Sequence, residues 1–210
     1  MGIFDLFKKP EPMIKSVVVP AMPAHEPIDP EKWRELVNLL SDGDSALLNV
    51  LELYLAKDEA GFQKAFQGGI EEYFFDEFDK GGLAGIEISQ LALYGLIYFG
   101  YIGHNDWKFG LDDFLFNSTQ ALKHYGLDVS MYDSVENQSE IMAPEAFEVI
   151  QKGLPEGMGL GLWDNDSDEY LIIISKMETL KKAEKLAEEL SRSSRDDFWI
   201  IFFPELPEQP

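Results

Sequence analysis

Asp164, Asp166 and Asp168 stand at alternate positions, the spacing with which a calcium loop begins to converge side-chain oxygens on one cation. Such a loop also needs glycine at its sixth position and a bidentate glutamate at its twelfth. Glu169 and Ser175 occupy those places, so both diagnostic residues are missing. Asp and Asn are also ordinary turn residues, because their side chains bond the local backbone. The segment is expected to be a turn, with no metal; these three aspartates are the candidates should a metal bind. Cysteine is absent and only three histidines occur (His25, His104 and His124), which leaves few soft or nitrogen ligands.

The run His104-Asn105-Asp106-Trp107 sets a histidine near a carboxylate, a pairing suited to general acid-base work if the carboxylate orients the imidazole. No serine or second carboxylate accompanies it. The plainer reading packs Trp107 over the core and leaves its neighbours solvated. Glu71-Glu72-Tyr73-Phe74-Phe75-Asp76-Glu77-Phe78-Asp79 alternates acids with aromatics and reads as an amphipathic helix whose acidic face is solvated. The sharper alternative is a patch for a basic protein, with the aromatics as anchors. Gly157, Gly159 and Gly161 fall in a strand-like run without any phosphate-cradle motif, and no nucleophile elbow or His-Glu-x-x-His occurs. No cofactor is expected.

Charge is the strongest compositional signal. The 210 residues carry 39 acidic and 17 basic side chains, a net of -22. That balance argues against nucleic acid, whose binding is driven by Lys and Arg, and against anionic membranes. The 45% apolar content excludes disorder for the bulk of the chain. Residues 101–175 hold 14 acids against three bases, the densest acidic region. Such a field can steer a basic protein partner. Asp106, Trp107, Asp112, Asp113, Glu145 and Glu148 are the candidate binding residues there, the acidic pairs lying in expected helices.

These residues need elements to hold them. Six of eleven prolines fall within the first 30 residues, so 1–28 reads as an extended tether, with 205–210 as a tail. One α+β domain is expected over 29–204. Asp29 and Pro30 open a helix whose apolar stripe is Trp33, Leu36, Val37 and Leu40. Ser41-Asp42-Gly43-Asp44 separates it from a second helix carrying Leu47, Leu48, Leu51, Tyr54 and Leu55. Further helices are expected over 60–66, 70–78 and 86–99, making residues 29–100 all-helical. Residues 101–107 fit strand and loop equally. A single helix is expected over 111–125, and another from Pro144 to about Lys152. Residues 158–163 and 170–175 flank the Asp-rich turn as a β-hairpin. A helix over 178–190 follows, then Phe198–Phe203, apolar on both faces like a strand inside a sheet. Its pairing could be parallel or antiparallel. The result is a small mixed or antiparallel sheet, hairpin plus one strand, packed with helices.

The stretch ending in Asp106-Trp107-Lys108, the Gly159-Leu-Gly-Leu-Trp-Asp164 hairpin arm and the Tyr170-Leu-Ile-Ile-Ile-Ser-Lys strand resemble a family of uncharacterised bacterial domains, over about residues 90–200. That resemblance implies an α+β fold and a bacterial cytoplasmic setting, and carries no activity or site. No apolar run approaches the ~18 residues of a membrane span, and no secretory signal is recognised. The expected function is binding of a basic protein, as an immunity-type inhibitor or adaptor. The competing expectation is a metal-assisted hydrolase using Asp164, Asp166 and Asp168 with His104 or Asp106.

Overall fold

The structure, a computed structural model, describes residues 29–106, 108–165, 168–191 and 198–202. The 1–28 tether, Trp107, Asp166 and the 205–210 tail of the sequence reading lie outside those residues.

Among the described residues there are ten α-helices and four strands. Helix α1 (Pro30–Leu40) starts as the sequence dictates: the Asp29 carboxylate accepts from the amides of Glu31 (3.1 Å) and Lys32 (3.3 Å), with proline at the first helical position. Its stripe of Trp33, Leu36, Val37 and Leu40 is buried. Asp42 and Gly43 take left-handed backbone to turn the chain into α2 (Ser45–Leu55). Helices α3 (Glu59–Ala65), α4 (Gly69–Tyr73), α5 (Phe75–Gly81) and α6 (Ile88–Tyr98) complete the helical half.

The helix expected over 70–78 is broken at Phe74. This residue leaves helical geometry (φ -130°, ψ 12°) and buries its ring 5.6 Å from Phe66 and 5.3 Å from Tyr94. Aromatic packing overrides local propensity there. Of the stretch read as strand or loop, Ile102–Asp106 forms strand β1. The single helix expected over 111–125 is two, α7 (Leu111–Asn117) and α8 (Thr119–His124), joined at Ser118. Thr119 Oγ1 donates to the Leu115 carbonyl at 2.8 Å, a back-bond that bends helices. Then follow α9 (Glu145–Gly153), β2 (Met158–Asp164), β3 (Glu169–Lys176), α10 (Met177–Ser191) and β4 (Trp199–Phe202).

The fold is α+β, with one four-stranded sheet in the order β1-β3-β2-β4 and every pairing antiparallel. Along β3 the side chains alternate between two cores. Leu171 and Ile173 join Trp33, Leu36, Trp163 and Ile200 under α1, α6 and α10, whereas Ile172 and Ile174 join Phe114, Leu122 and Ile150 under α7–α9. The sheet is thus covered on both faces. The reading of the last strand as interior is corrected: β4 is an edge. Ile200 is 3% exposed, but Ile201, pointing the other way, is 41% exposed, because the helices of the second core do not extend over it.

Candidate functional site

Strand β1 ends at Asp106, whose carbonyl accepts from Phe109 N at 3.1 Å to make the turn into α7. Gly110 forms an isolated antiparallel bridge with Met142, and Leu111 N donates to Ile141 O at 2.9 Å. Ala146 N in turn donates to Met142 O at 2.9 Å, so α9 begins where the bridge leaves off. This joint gathers Asp112, Asp113, Glu140 and Glu145, all exposed, about the starts of two helices. Asp113 Oδ2 accepts from Gly110 N at 3.2 Å and caps α7, and carboxylates are favoured at that end of a helix. Glu148 lies one turn into α9, 3.4 Å from Lys152.

Under the joint, Phe109, Leu111, Phe114 and Leu115 are buried. Phe116 points the other way and is 82% exposed. Asp112 and Asp113 precede it by four and three residues, the helical spacings that place side chains side by side. Met142, 41% exposed, adds apolar surface at the bridge. The Gly110–Met142 bridge therefore joins the segments that lead into the helices carrying Asp112, Asp113 and Glu145, and the exposed surface of α7 adds an aromatic that sequence reasoning missed. The signal that could have found it is helical periodicity: with Phe114 and Leu115 facing in, position 116 falls on the outward side. The anchors suggested in the 71–79 run fare differently: Phe74 is fully buried and Tyr73 is half-buried, stacked 5.3 Å from Tyr94.

The other candidates disperse. His104 Nε2 lies 2.9 Å from Glu169 Oε1 across the β1–β3 pair, an exposed strand contact. Asp106 is exposed at the strand end. Asp164 closes β2 and, with Glu184 and Glu188 of α10, lines a cleft of about 400 Å³ beside Ile200 and Ile201. Asp168 is exposed in the turn. Among the described residues no three His, Asp or Glu side chains converge as a metal site.

A second concavity went unnoticed in the sequence because its parts are far apart along the chain. The Ser41–Ser45 turn, Tyr101, His124 and Tyr125 enclose about 390 Å³. Tyr101 donates its hydroxyl to Asp44 Oδ2 at 2.8 Å, while Asp44 Oδ1 caps α2 through Ala46 N (2.7 Å) and Leu47 N (3.3 Å). Burial alone would raise the Asp44 carboxyl, but these hydrogen bonds outweigh it and hold it below its usual value. Burial and the same carboxylate push the Tyr101 hydroxyl upward. The His124 ring stacks on Tyr101 at 4.0 Å, and Tyr125 Oη bonds Ser175 Oγ at 2.8 Å.

Fold and surface together define an acidic α+β domain with a sandwiched antiparallel sheet and an exposed aromatic set among carboxylates. The chain belongs to the DUF6630 family, a domain of unknown function, which it matches over residues 32–197. No curated protein matches it. No solved structure matches it either.

Proposed function

We propose that this protein is an acidic docking module for a basic protein partner, working as an adaptor or an immunity-type inhibitor through the face at the joined starts of α7 and α9. Phe116 carries this reading. An exposed large apolar side chain means little alone. Set one turn from two carboxylates, it has the makings of an interface anchor, since aromatic side chains dominate binding energy once desolvated while surrounding charge governs approach. The net charge of residues 101–175, 14 acids against three bases, gives that approach its sign.

The test separates anchor from field. A partner captured from the source lysate is passed over the immobilised protein at low and high salt. Converting Asp112, Asp113, Glu145 and Glu148 together to Asn or Gln should slow association and flatten its salt dependence. Melting temperature should stay about level, because the amide that replaces the Asp113 carboxylate retains an oxygen for Gly110 N. Phe116→Ala should instead speed dissociation. An association rate indifferent to salt and to the fourfold change refutes the electrostatic reading. Self-association abolished by Phe116→Ala would assign this face to a second copy of the chain.

A further inference from the structure

The two edges of the sheet are defended differently. At β1 the exposed residues are His104 and Asp106, and His104 meets Glu169 across the pair, so charge guards that edge. At β4 the sequence is Trp199-Ile200-Ile201-Phe202, with no charge and no proline. Among the described residues no strand pairs with its outer side. Ile201 is 41% exposed on the face that the second core leaves open. An apolar edge with open N–H and C=O groups is a template for one more strand.

The chain holds one segment suited to that edge. Between Pro12 and Pro20 runs Met13-Ile14-Lys15-Ser16-Val17-Val18-Val19, the longest proline-free stretch of residues 10–30 and rich in β-branched types. Its connection to the fold begins in the right place. Asp29 opens α1, and Trp33, one turn further, packs 5.3 Å from Phe198, which immediately precedes β4. Lys32 meets Glu189, near the end of α10, at 3.1 Å. The chain thus enters the domain beside the start of β4. Residues 20–28, extended at about 3.1 Å each, span up to about 28 Å, roughly twice the ~13 Å length of a four-residue strand.

Charge agrees with this fit. Residues 8–19 carry three lysines and one glutamate in a chain of net -22, and Asp164, Glu184 and Glu188 line the cleft of about 400 Å³ beside Ile200 and Ile201. The other segments near this edge are unsuited. Residues 203–210 hold three prolines and two glutamates, and 192–197 are needed to join α10 to β4.

We propose that residues 14–19 add to the outer edge of β4 as a fifth, antiparallel strand, with residues 20–28 as the strap that returns to α1. Antiparallel pairing continues the pattern of the sheet and brings Val19 to the end of β4 nearest Asp29. Main-chain hydrogen bonds hold the strand, and its β-branched side chains cover the Ile201 face. This contact is independent of the docking face at α7 and α9.

The natural absence of cysteine makes disulfide trapping in the full chain direct. Ile201→Cys is combined in turn with Ile14→Cys, Lys15→Cys, Ser16→Cys, Val17→Cys, Val18→Cys and Val19→Cys, then oxidised at low concentration. One register should link within the chain in high yield, because facing residues of paired strands lie within the ~4.4–6.8 Å Cα separation of a disulfide. His104→Cys, on the other edge, should not link to any of the six. Amide exchange in the unaltered chain reads the same pairing: residues 14–19 should exchange about tenfold or more slowly than 21–26. Val17→Pro or Val18→Pro, whichever amide faces β4, should abolish that protection, and Ala24→Pro should not. Equal exchange across 14–26 overturns the proposal, as does equal linking to His104→Cys. Protection without any link to Ile201→Cys places the strand elsewhere and overturns it too. Links that form only between chains assign the edge to a second copy, which also overturns it.

Discussion

Ile200 and Ile201 are the same residue type in adjacent positions on β4, so alanine at each removes the same atoms from opposite faces of the sheet. Ile200 sits opposite Trp163 in the register, in the core that also holds Trp33 and Phe198. Trp163 stacks on Phe198 with centroids 4.8 Å apart, and Phe198 meets Trp33 at 5.3 Å. Rings locked in this way cannot readily collapse into the space left by an isoleucine, so Ile200→Ala should cost about 2–5 kcal/mol. Ile201 is 41% exposed and leaves no enclosed void; Ile201→Ala should cost about 1 kcal/mol or less. For a domain of this size, with about 2–4 °C per kcal/mol, a loss of about 3 kcal/mol lowers Tm by about 6–12 °C. Urea unfolding followed by tryptophan fluorescence reads both, since Trp33 and Trp163 lie in the affected core, and the denaturant slope should be unchanged. A buried charge sharpens the contrast: Ile200→Asp should prevent folding and Ile201→Asp should not. Equal losses for the two alanine variants would refute the one-sided burial of β4.

Acid stability offers a second check, because the Asp44 carboxyl is held below its ordinary value of 3.8. A lowered value means a contribution that is complete above the unfolded pKa and lost as pH falls through the folded one. Asp44→Asn keeps the helix cap but not the charge, so Tm should fall less steeply below about pH 4 than in the parent; identical slopes would deny the Tyr101–Asp44 bond. Gly103 and Ser118 make an opposed pair. A Cβ at Gly103 would overlap Ser118 Oγ, so Gly103→Ala should destabilise by about 1–3 kcal/mol in thermal melts. Ser118→Ala should be level or mildly stabilising, since its buried hydroxyl has no partner, and a loss above about 1 kcal/mol would show that it has one in solution.

Periodicity and capping chemistry made α1, α2, α9, the β2–β3 hairpin and α10 readable from the residues alone. Each of these depends on local spacing, such as Asp29-Pro30 before the Trp33 stripe. What escaped depends on contacts distant in sequence. Nothing near Phe74 announces a break; Tyr94 and Phe66 enforce it. The strand character of 102–106 is decided by pairing with β3, far along the chain, and the edge position of β4 by which strand pairs with β3. For the site, Asp112, Asp113 and Glu145 are exposed acids as their helical positions suggested, but only the Gly110–Met142 bridge joins the segments that lead into their two helices. The Ser41–Tyr101–His124 cavity was illegible for the same reason, since three separate elements contribute to it.

The packed rings of Trp33, Phe198 and Trp163 also impose a schedule on synthesis. The first core is closed by residues 165 positions apart, with α1 lying against α10 and Lys32 reaching Glu189 at 3.1 Å. At translation rates of about 5–20 residues per second, Trp33 therefore waits roughly 8–33 s for Phe198 to be made. Through that interval α1–α6 present to the cell an apolar face that has no native cover. The nascent chain is thus far stickier than the finished one, and its burden on holding chaperones is set by the last strand to be translated.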